Sequence, residues 1–216
     1  MIKGIDISHW NGAIDFNKVK KSGVEFVIIK AGGSDKSPYK DSMFEKYYKA
    51  AKEAGLKVGA YYFVGKKFLG KESGLADAKR FIEILKGKQF DYPVFLDLET
   101  TEARYKKEAT EASKAFCKAL EDAGYFVGIY ASDISGFKEK LELSEITEYS
   151  LWVARYGSEP VYVKRWGMWQ YSSKGSVNGI CGSVDLDYSR IDFSDIIIKK
   201  GFNGYKKPAK KKAEVK

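Results

Sequence analysis

The chain has 216 residues, 44% hydrophobic and 31% charged, a mixture that suits one globular domain with a sizeable core. No apolar run approaches the roughly 18–20 residues of a membrane span. Two cysteines without C-x-x-C spacing, Cys117 and Cys181, exclude a disulfide scaffold or a thiolate zinc site, and a single histidine, His9, excludes multi-histidine metal centres. No cofactor is expected.

The net charge of +9 is unevenly placed. Residues 199–216 hold eight Lys and one Glu, so removing their +7 leaves +2 on the rest of the chain. A nucleic-acid binder would carry its basic patch on the folded body, interleaved with aromatics, so neither a specific nucleic acid nor a membrane is expected as a partner. The stretch Lys206-Lys207-Pro208-Ala209-Lys210-Lys211-Lys212 reads as a solvated linker or as an electrostatic hold on an anionic polymer. Residues 1–200 are therefore expected to form one domain and 201–216 a Lys-rich tail. The first residues lack an apolar signal region, so synthesis in the cytoplasm without a signal peptide is expected.

In chain order, residues 2–8 read as a strand and 16–22 as a short helix closed by Gly23. Residues 25–31 (EFVIIKA) form the second strand, and 41–54 a helix that stops at Gly55. The third strand is 57–64 (KVGAYYFV), followed by a helix at 72–85. The fourth strand is 93–99 (PVFLDLE), and the longest helix, 106–123, stops at Gly124. The fifth strand is 125–131 (YFVGIYA). Beyond residue 135, LWVA, GMWQYS and VDLDYS look like strands without full helices between them. The cycle predicts an α/β fold, an irregular TIM-like barrel of five βα units followed by three strands with little helix.

The informative residues are acids inside apolar strands. Asp6 lies between Ile5 and Ile7, Asp97 and Glu99 follow Phe95, and Asp185 and Asp187 flank Leu186. With side chains alternating faces, Leu96 and Leu98 pack on helices while Phe95, Asp97 and Glu99 point into the barrel. Asp6 and Asp185 take the same side, each expected at the C-terminal end of its strand, where such barrels place active sites. A charge pointed inward is costly unless paired or used. Lys30 or Arg155 would pair with one acid, but four or five acids on one rim exceed the bases nearby. Mg²⁺ or Ca²⁺ would accept such oxygen ligands, yet no D-x-D-x-D-G loop is present. Paired carboxylates suit glycosidic cleavage, where one donates a proton and another supports positive charge at the anomeric carbon. The Cα atoms of Asp97 and Glu99 would lie roughly 6–7 Å apart, which does not separate retaining from inverting geometry.

Gly4-Ile5-Asp6-Ile7-Ser8-His9-Trp10-Asn11-Gly12 resembles the opening of glycoside hydrolase family 25, the muramidases or Chalaropsis-type lysozymes, many of them phage endolysins. Asp97-Leu98-Glu99 matches that family's D-x-E signature, and Trp169-Gln170-Tyr171-Ser172 and Val184-Asp185-Leu186-Asp187 its closing signatures. Gly59-Ala60-Tyr61-Tyr62-Phe63 and Leu151-Trp152-Val153-Ala154-Arg155-Tyr156 fit as well, so the resemblance spans residues 1–198 in order. It implies a five-plus-three β/α barrel acting on bacterial peptidoglycan, cleaving the β-1,4 bond between N-acetylmuramic acid and N-acetylglucosamine. It assigns Glu99 as proton donor, Asp97 as nucleophile or orienter of the substrate acetamido group, and Asp6 and Asp185 as supporting acids. The D-x-E spacing resembles that of substrate-assisted enzymes and favours a retaining reaction, with a covalent intermediate still open. The tail then reads as a contact to an anionic wall polymer or a link to a wall-binding module, and release at cell lysis as the route to the wall.

The resemblance departs at Lys30-Ala31-Gly32-Gly33-Ser34, where many relatives read Ala-Thr-Glu-Gly, and at Asp187, where Asn is common and a second acid would raise a neighbouring pKa. His9 and Gln170 are expected to line the cleft with Asp187. Trp10, Tyr62, Tyr130, Trp152 and Trp169 are candidates for stacking on sugars, with Tyr62 and Tyr130 first because they lie near strand ends in apparent lumen phase. Cys117 reads as inert packing and Cys181 as a free thiol, with a bond between them left open. The rival reading is a non-catalytic wall glycan-binding barrel that keeps the aromatics and has no use for the acids.

Overall fold

Strands with apolar side chains on both faces cannot lie on a surface, and here eight of them close into a barrel. The computed structural model describes residues 1–207, so the expectation for the tail lies, over 208–216, outside the described residues. In chain order the elements are β1 (Ile2–Ile7), α1 (Phe16–Lys21), β2 (Phe26–Gly33), the two-residue β3 (Tyr39–Lys40), α2 (Phe44–Glu53), β4 (Lys57–Val64) and α3 (Gly70–Leu85). Then follow β5 (Val94–Leu98), α4 (Lys106–Asp122), β6 (Val127–Ser132), β7 (Ser150–Ala154), β8 (Met168–Gly175), β9 (Val184–Ser189) and α5 (Phe193–Lys200). Strands β1, β2, β4, β5, β6, β7 and β8 run parallel, and β9 closes the barrel antiparallel to both β8 and β1. β3 pairs with the end of β2. The fifth barrel strand is followed not by a full helix but by a six-residue π-helical turn, Asp133–Lys138, and a short 3-10 turn, Leu143–Glu145. No helix among the described residues is long and apolar enough to cross a membrane.

Period-two alternation separates two cores. One face of each early strand, including Ile5, Ile7, Val27, Ile29, Leu96 and Leu98, packs outward on Phe44, Phe81, Phe116 and Leu120 of the helices. The other face fills the lumen with Phe26, Ile28, Tyr92, Phe95, Trp152 and Met168. Room for these rings comes from glycine, since a Cβ on Gly4 would stand 2.2 Å from the Phe26 ring and one on Gly128 2.3 Å from Phe95. The lower barrel is thereby plugged, and only the rim at the C-terminal ends of the parallel strands stays open to chemistry. Cys117 is buried and Cys181 exposed, and both are free thiols.

Two elements near the C-terminus go beyond the sequence expectation. α5 forms although Ile196-Ile197-Ile198 shows no helical period, because Asp192 caps it by accepting from Ser194 N and Gly201 closes it in the left-handed region at φ 76°. The domain boundary expected at residue 200 is also corrected. Asn203 is fully buried, its Nδ2 donating to Phe90 O (3.3 Å) and Tyr92 O (2.9 Å) while Oδ1 accepts from Phe126 N at 2.7 Å. Tyr205 OH donates to Asp91, which also holds Lys52 and Val58 N. Residues 201–205 are part of the barrel floor, because one side chain satisfies backbone groups of two separate strand entries.

Candidate active site

β1, β5 and β9 bring the acids to one rim. Asp6 is on β1, Asp97 on β5, and Glu99 is the first residue beyond β5. Asp185 stands directly opposite Asp6 in the β1–β9 pairing. It lies at the start of β9, not at the C-terminal end as expected, because β9 runs antiparallel and its beginning reaches the rim. Asp6, Asp97, Glu99 and Asp185 line one cavity of about 260 Å³ with Tyr61, Tyr130, Trp152, Tyr156, Gln170 and Ser173. A second hollow of about 450 Å³ adjoins it through Glu99, Tyr130 and Tyr156.

Among the described residues no ion pair reaches any of these acids. Arg155, one expected base, pairs instead with Asp133 at 3.2 Å. Lys30, the other, is buried with its Nζ 4.5 Å from the centre of the Phe63 ring. From there it lowers the proton affinity of Asp97 without contacting it as an ion pair. Burial and the Glu99 charge nevertheless hold the Asp97 carboxyl well above the usual carboxylate range. Asp97 Oδ1 is buried without a partner among the described residues, whereas Glu99 is exposed. One carboxyl of the pair is thus in a dry environment and the other in a wet one.

A second cluster lies beside the first. Burial, then the charges of Asp187 and Asp185, raise Asp6 well above its ordinary range. Asp185 is pushed up to about 6 by burial and by Glu99. Asp187 is pushed up to about 8, chiefly by burial. Gln170 is the connector: Nε2 donates to Asp6 Oδ2 at 2.8 Å, and Oε1 accepts from Tyr130 OH at 2.8 Å and Tyr156 OH at 3.3 Å. Trp152 Nε1 donates to Asp187 Oδ1 at 2.8 Å. Among the described residues no group of three or more His, Cys, Asp or Glu is arranged to hold a metal ion.

Several expected substrate contacts are relocated. Tyr62 faces outward, fully buried against Phe81 and Phe116, with its hydroxyl 3.4 Å from Asp77. Its neighbour Tyr61 faces the lumen instead. Both faces of β4 are apolar, so the phase of alternation was not legible from that strand. Asp187 is completely buried beneath the cavity and serves Trp152, not a ligand. Trp152 lines the cavity wall but is wedged among Phe95, Tyr61 and Tyr130, leaving 1% of it exposed, so it cannot present a stacking face. Trp169 is in the core. His9 lies outside the cavity lining, its Nδ1 held 2.7 Å from Asp41. Tyr130 and Gln170 do line the cavity. Tyr61 and Tyr156 were missed. For Tyr156, an aromatic two residues past the end of a barrel strand was the available signal.

Asp187 supplies a stability test. From its ordinary value of 3.8 up to about 8, the folded chain holds a proton at Asp187 that the unfolded chain has lost, so stability declines as pH rises through that window. Asp187→Asn keeps an oxygen for Trp152 and removes the charge. It is expected to stabilise the fold by on the order of a few kcal/mol at pH 8 and by almost nothing at pH 4. Urea titrations at both pH values measure this, and an equal effect at the two would show that Asp187 is ionised throughout.

A family model, "Glycosyl hydrolases family 25", matches residues 5–180. The chain belongs to this family. It is 36% identical over 198 residues to the autolytic lysozyme of Clostridium acetobutylicum, a match covering 91% of this chain and 57% of that protein. The chain thus spans little more than half the length of that relative. The CTP1L endolysin crystal structure superposes with a TM-score of 0.79 at 30% identity, covering 91% of this chain and 69% of that one. The modular autolysin LytC of Streptococcus pneumoniae, solved with a synthetic peptidoglycan ligand, gives 0.74 at 27% identity over 86% of this chain and 46% of its own. The family 25 barrel, with its reversed closing strand, is therefore the scaffold on which the five acids are mounted.

Proposed function

We propose that the chain is a peptidoglycan hydrolase that cleaves the β-1,4 bond between N-acetylmuramic acid and N-acetylglucosamine, with Glu99 and Asp97 as its catalytic pair. The observation that carries this reading is the Asp97–Glu99 pair on an open cavity, one member buried and one exposed, with no counter-ion on either among the described residues. The autolytic lysozyme, the CTP1L endolysin and the peptidoglycan complex of LytC support the substrate class.

Burial and mutual repulsion keep one proton on the pair. Asp97 hands this proton to Glu99, which, on the solvent side, passes it to the leaving glycosidic oxygen as the C1–O bond breaks. The substrate's own acetamido oxygen closes on C1, and Asp97, now ionised, receives the acetamido N–H and supports the developing positive charge. Water then opens this intermediate with Glu99 as base, and the anomeric configuration is retained. Asp6 and Asp185 hold the adjacent wall of the cavity, while Gln170 fixes the Tyr130 and Tyr156 hydroxyls. In this reading the Lys-rich end adds attraction to anionic polymers of the bacterial wall on which the enzyme acts.

Mass spectrometry of fragments released from purified peptidoglycan tests the reading. New reducing ends on N-acetylmuramic acid are expected. Reducing ends on N-acetylglucosamine alone, or cut peptides with intact glycan, would overturn it. Tight wall binding with no fragments would favour the non-catalytic barrel.

A further inference from the structure

Three of the four tryptophans are core residues, with Trp152, Trp166 and Trp169 at most 8% exposed, but Trp10 is 83% exposed. An indole left in water forgoes the burial that normally rewards it. Trp10 is not on a loose segment. It is the middle residue of a 3-10 turn, His9–Asn11, closed by a reciprocal cap in which the Ser8 hydroxyl accepts from Trp10 N and Asn11 Oδ1 accepts from Ser8 N. Tyr47 OH donates to Gly12 O at 2.5 Å, just past the turn. His9 packs its ring against the indole at 4.5 Å between centroids, while its Nδ1 is anchored on the buried Asp41. The exposed ring is therefore held in place before any ligand arrives, so little side-chain freedom is left to lose on binding.

Its position is equally specific. The turn follows directly on β1, and Trp10 itself is four residues after Asp6. Asn11 Nδ2 donates to Ser183 O at 3.4 Å, two residues before Asp185. Trp10 thus stands on the rim beside the Asp6–Asp185 edge but outside the cavity. At about 260 Å³ that cavity is smaller than the roughly 300–1,000 Å³ that encloses a drug-sized ligand. A glycan strand is a polymer, and most of it must lie along the rim.

We propose that Trp10 is the platform of an outlying glycan subsite, stacking its indole on a pyranose ring of the peptidoglycan strand several sugars from the cleaved bond. This rests on the hydrolase reading above. The ligand class follows from the chemistry: a sugar offers an apolar C–H face to the ring and hydroxyls to the flanking water.

Fluorescence and kinetics test it together. With the other indoles buried, acrylamide quenching of the intact chain reports Trp10. Peptide-free glycan strands longer than six sugars are the probe. They are expected to shield Trp10 from acrylamide, and Trp10→Ala is expected to raise KM on those strands roughly tenfold, the scale of one lost aromatic contact. Its kcat, its thermal midpoint and its KM on the shortest cleaved oligomer should be unchanged, and Trp10→Phe should recover most of the KM. Equal KM values for wild type and Trp10→Ala on long strands, or unshielded Trp10 on an enzyme that cleaves, would overturn the subsite while leaving the hydrolase reading intact. Loss of a dimer on Trp10→Ala, seen by light scattering, would overturn it in favour of contact between copies. If wild type cleaves no glycan, the hydrolase reading fails by itself, and shielding by uncleaved strands still decides the subsite.

Discussion

Glu99→Gln is expected to abolish wall lysis, with a loss of at least about 10³-fold from removing the proton donor. Glutamine keeps the shape and hydrogen-bonding reach of glutamate but has no acidic proton. Fold stability should be untouched, because the side chain is exposed and makes no ion pair among the described residues. Asp97→Asn tests the other half of the pair. Activity is expected to fall at least about 10²-fold. Unlike the Glu99 variant, it should be more stable than wild type above neutral pH. Asp97 is held well above the usual range, so as pH rises past the ordinary carboxylate value the unfolded chain gives up this proton while the folded chain keeps it, and stability declines across that window. Turbidity clearing of Gram-positive walls, reducing-sugar release and urea midpoints separate the two roles. Normal lysis by Glu99→Gln would mean another residue donates the proton.

Asn203→Ala is expected to destabilise the barrel by about 3–5 kcal/mol, the largest effect of a single substitution anticipated outside the acid clusters. The truncation leaves Phe126 N, Phe90 O and Tyr92 O without their buried partner. It also places alanine at φ 54°, where a Cβ is strained. Truncation after residue 200 should cost still more, because it also removes Phe202 and Tyr205 from the lumen-side core. Truncation after residue 207, which keeps all of these groups, is the comparison. Equal midpoints for the two truncations would show that residues 201–207 carry none of the stability.

Much of the barrel was legible because its signals are local. Each of the first four helices begins near a polar residue and stops near a glycine, and the strands between them are runs of branched or aromatic residues. Asp97 and Glu99 were readable for the same reason, since a carboxylate set among leucines on a strand is too costly to bury unless it is paired or put to use. α5 was not, because its three consecutive isoleucines carry strand propensity and only packing against the lumen core outweighs it. Residues 201–205 were hidden by their lysine-rich surroundings, although Asn203 is among the most deeply buried polar residues of the fold.

From the order of residues alone come the family, the alternation of strand and helix, and the presence of several acids on inward-facing strand positions. The family follows from the resemblance of motifs kept in order and the rest from composition and period, none of which needs knowledge of neighbours in space. The tertiary structure alone decided which tyrosine of the Tyr61-Tyr62 pair faces the lumen, that β9 is reversed so that Asp185 meets Asp6, that Asp187 lies below the cavity, and that Trp10 is the exposed indole. Strand direction, the phase of a strand buried on both faces and the depth of a side chain are set by what packs across from it, and those partners lie as far apart along the chain as Ile2 and Ser189.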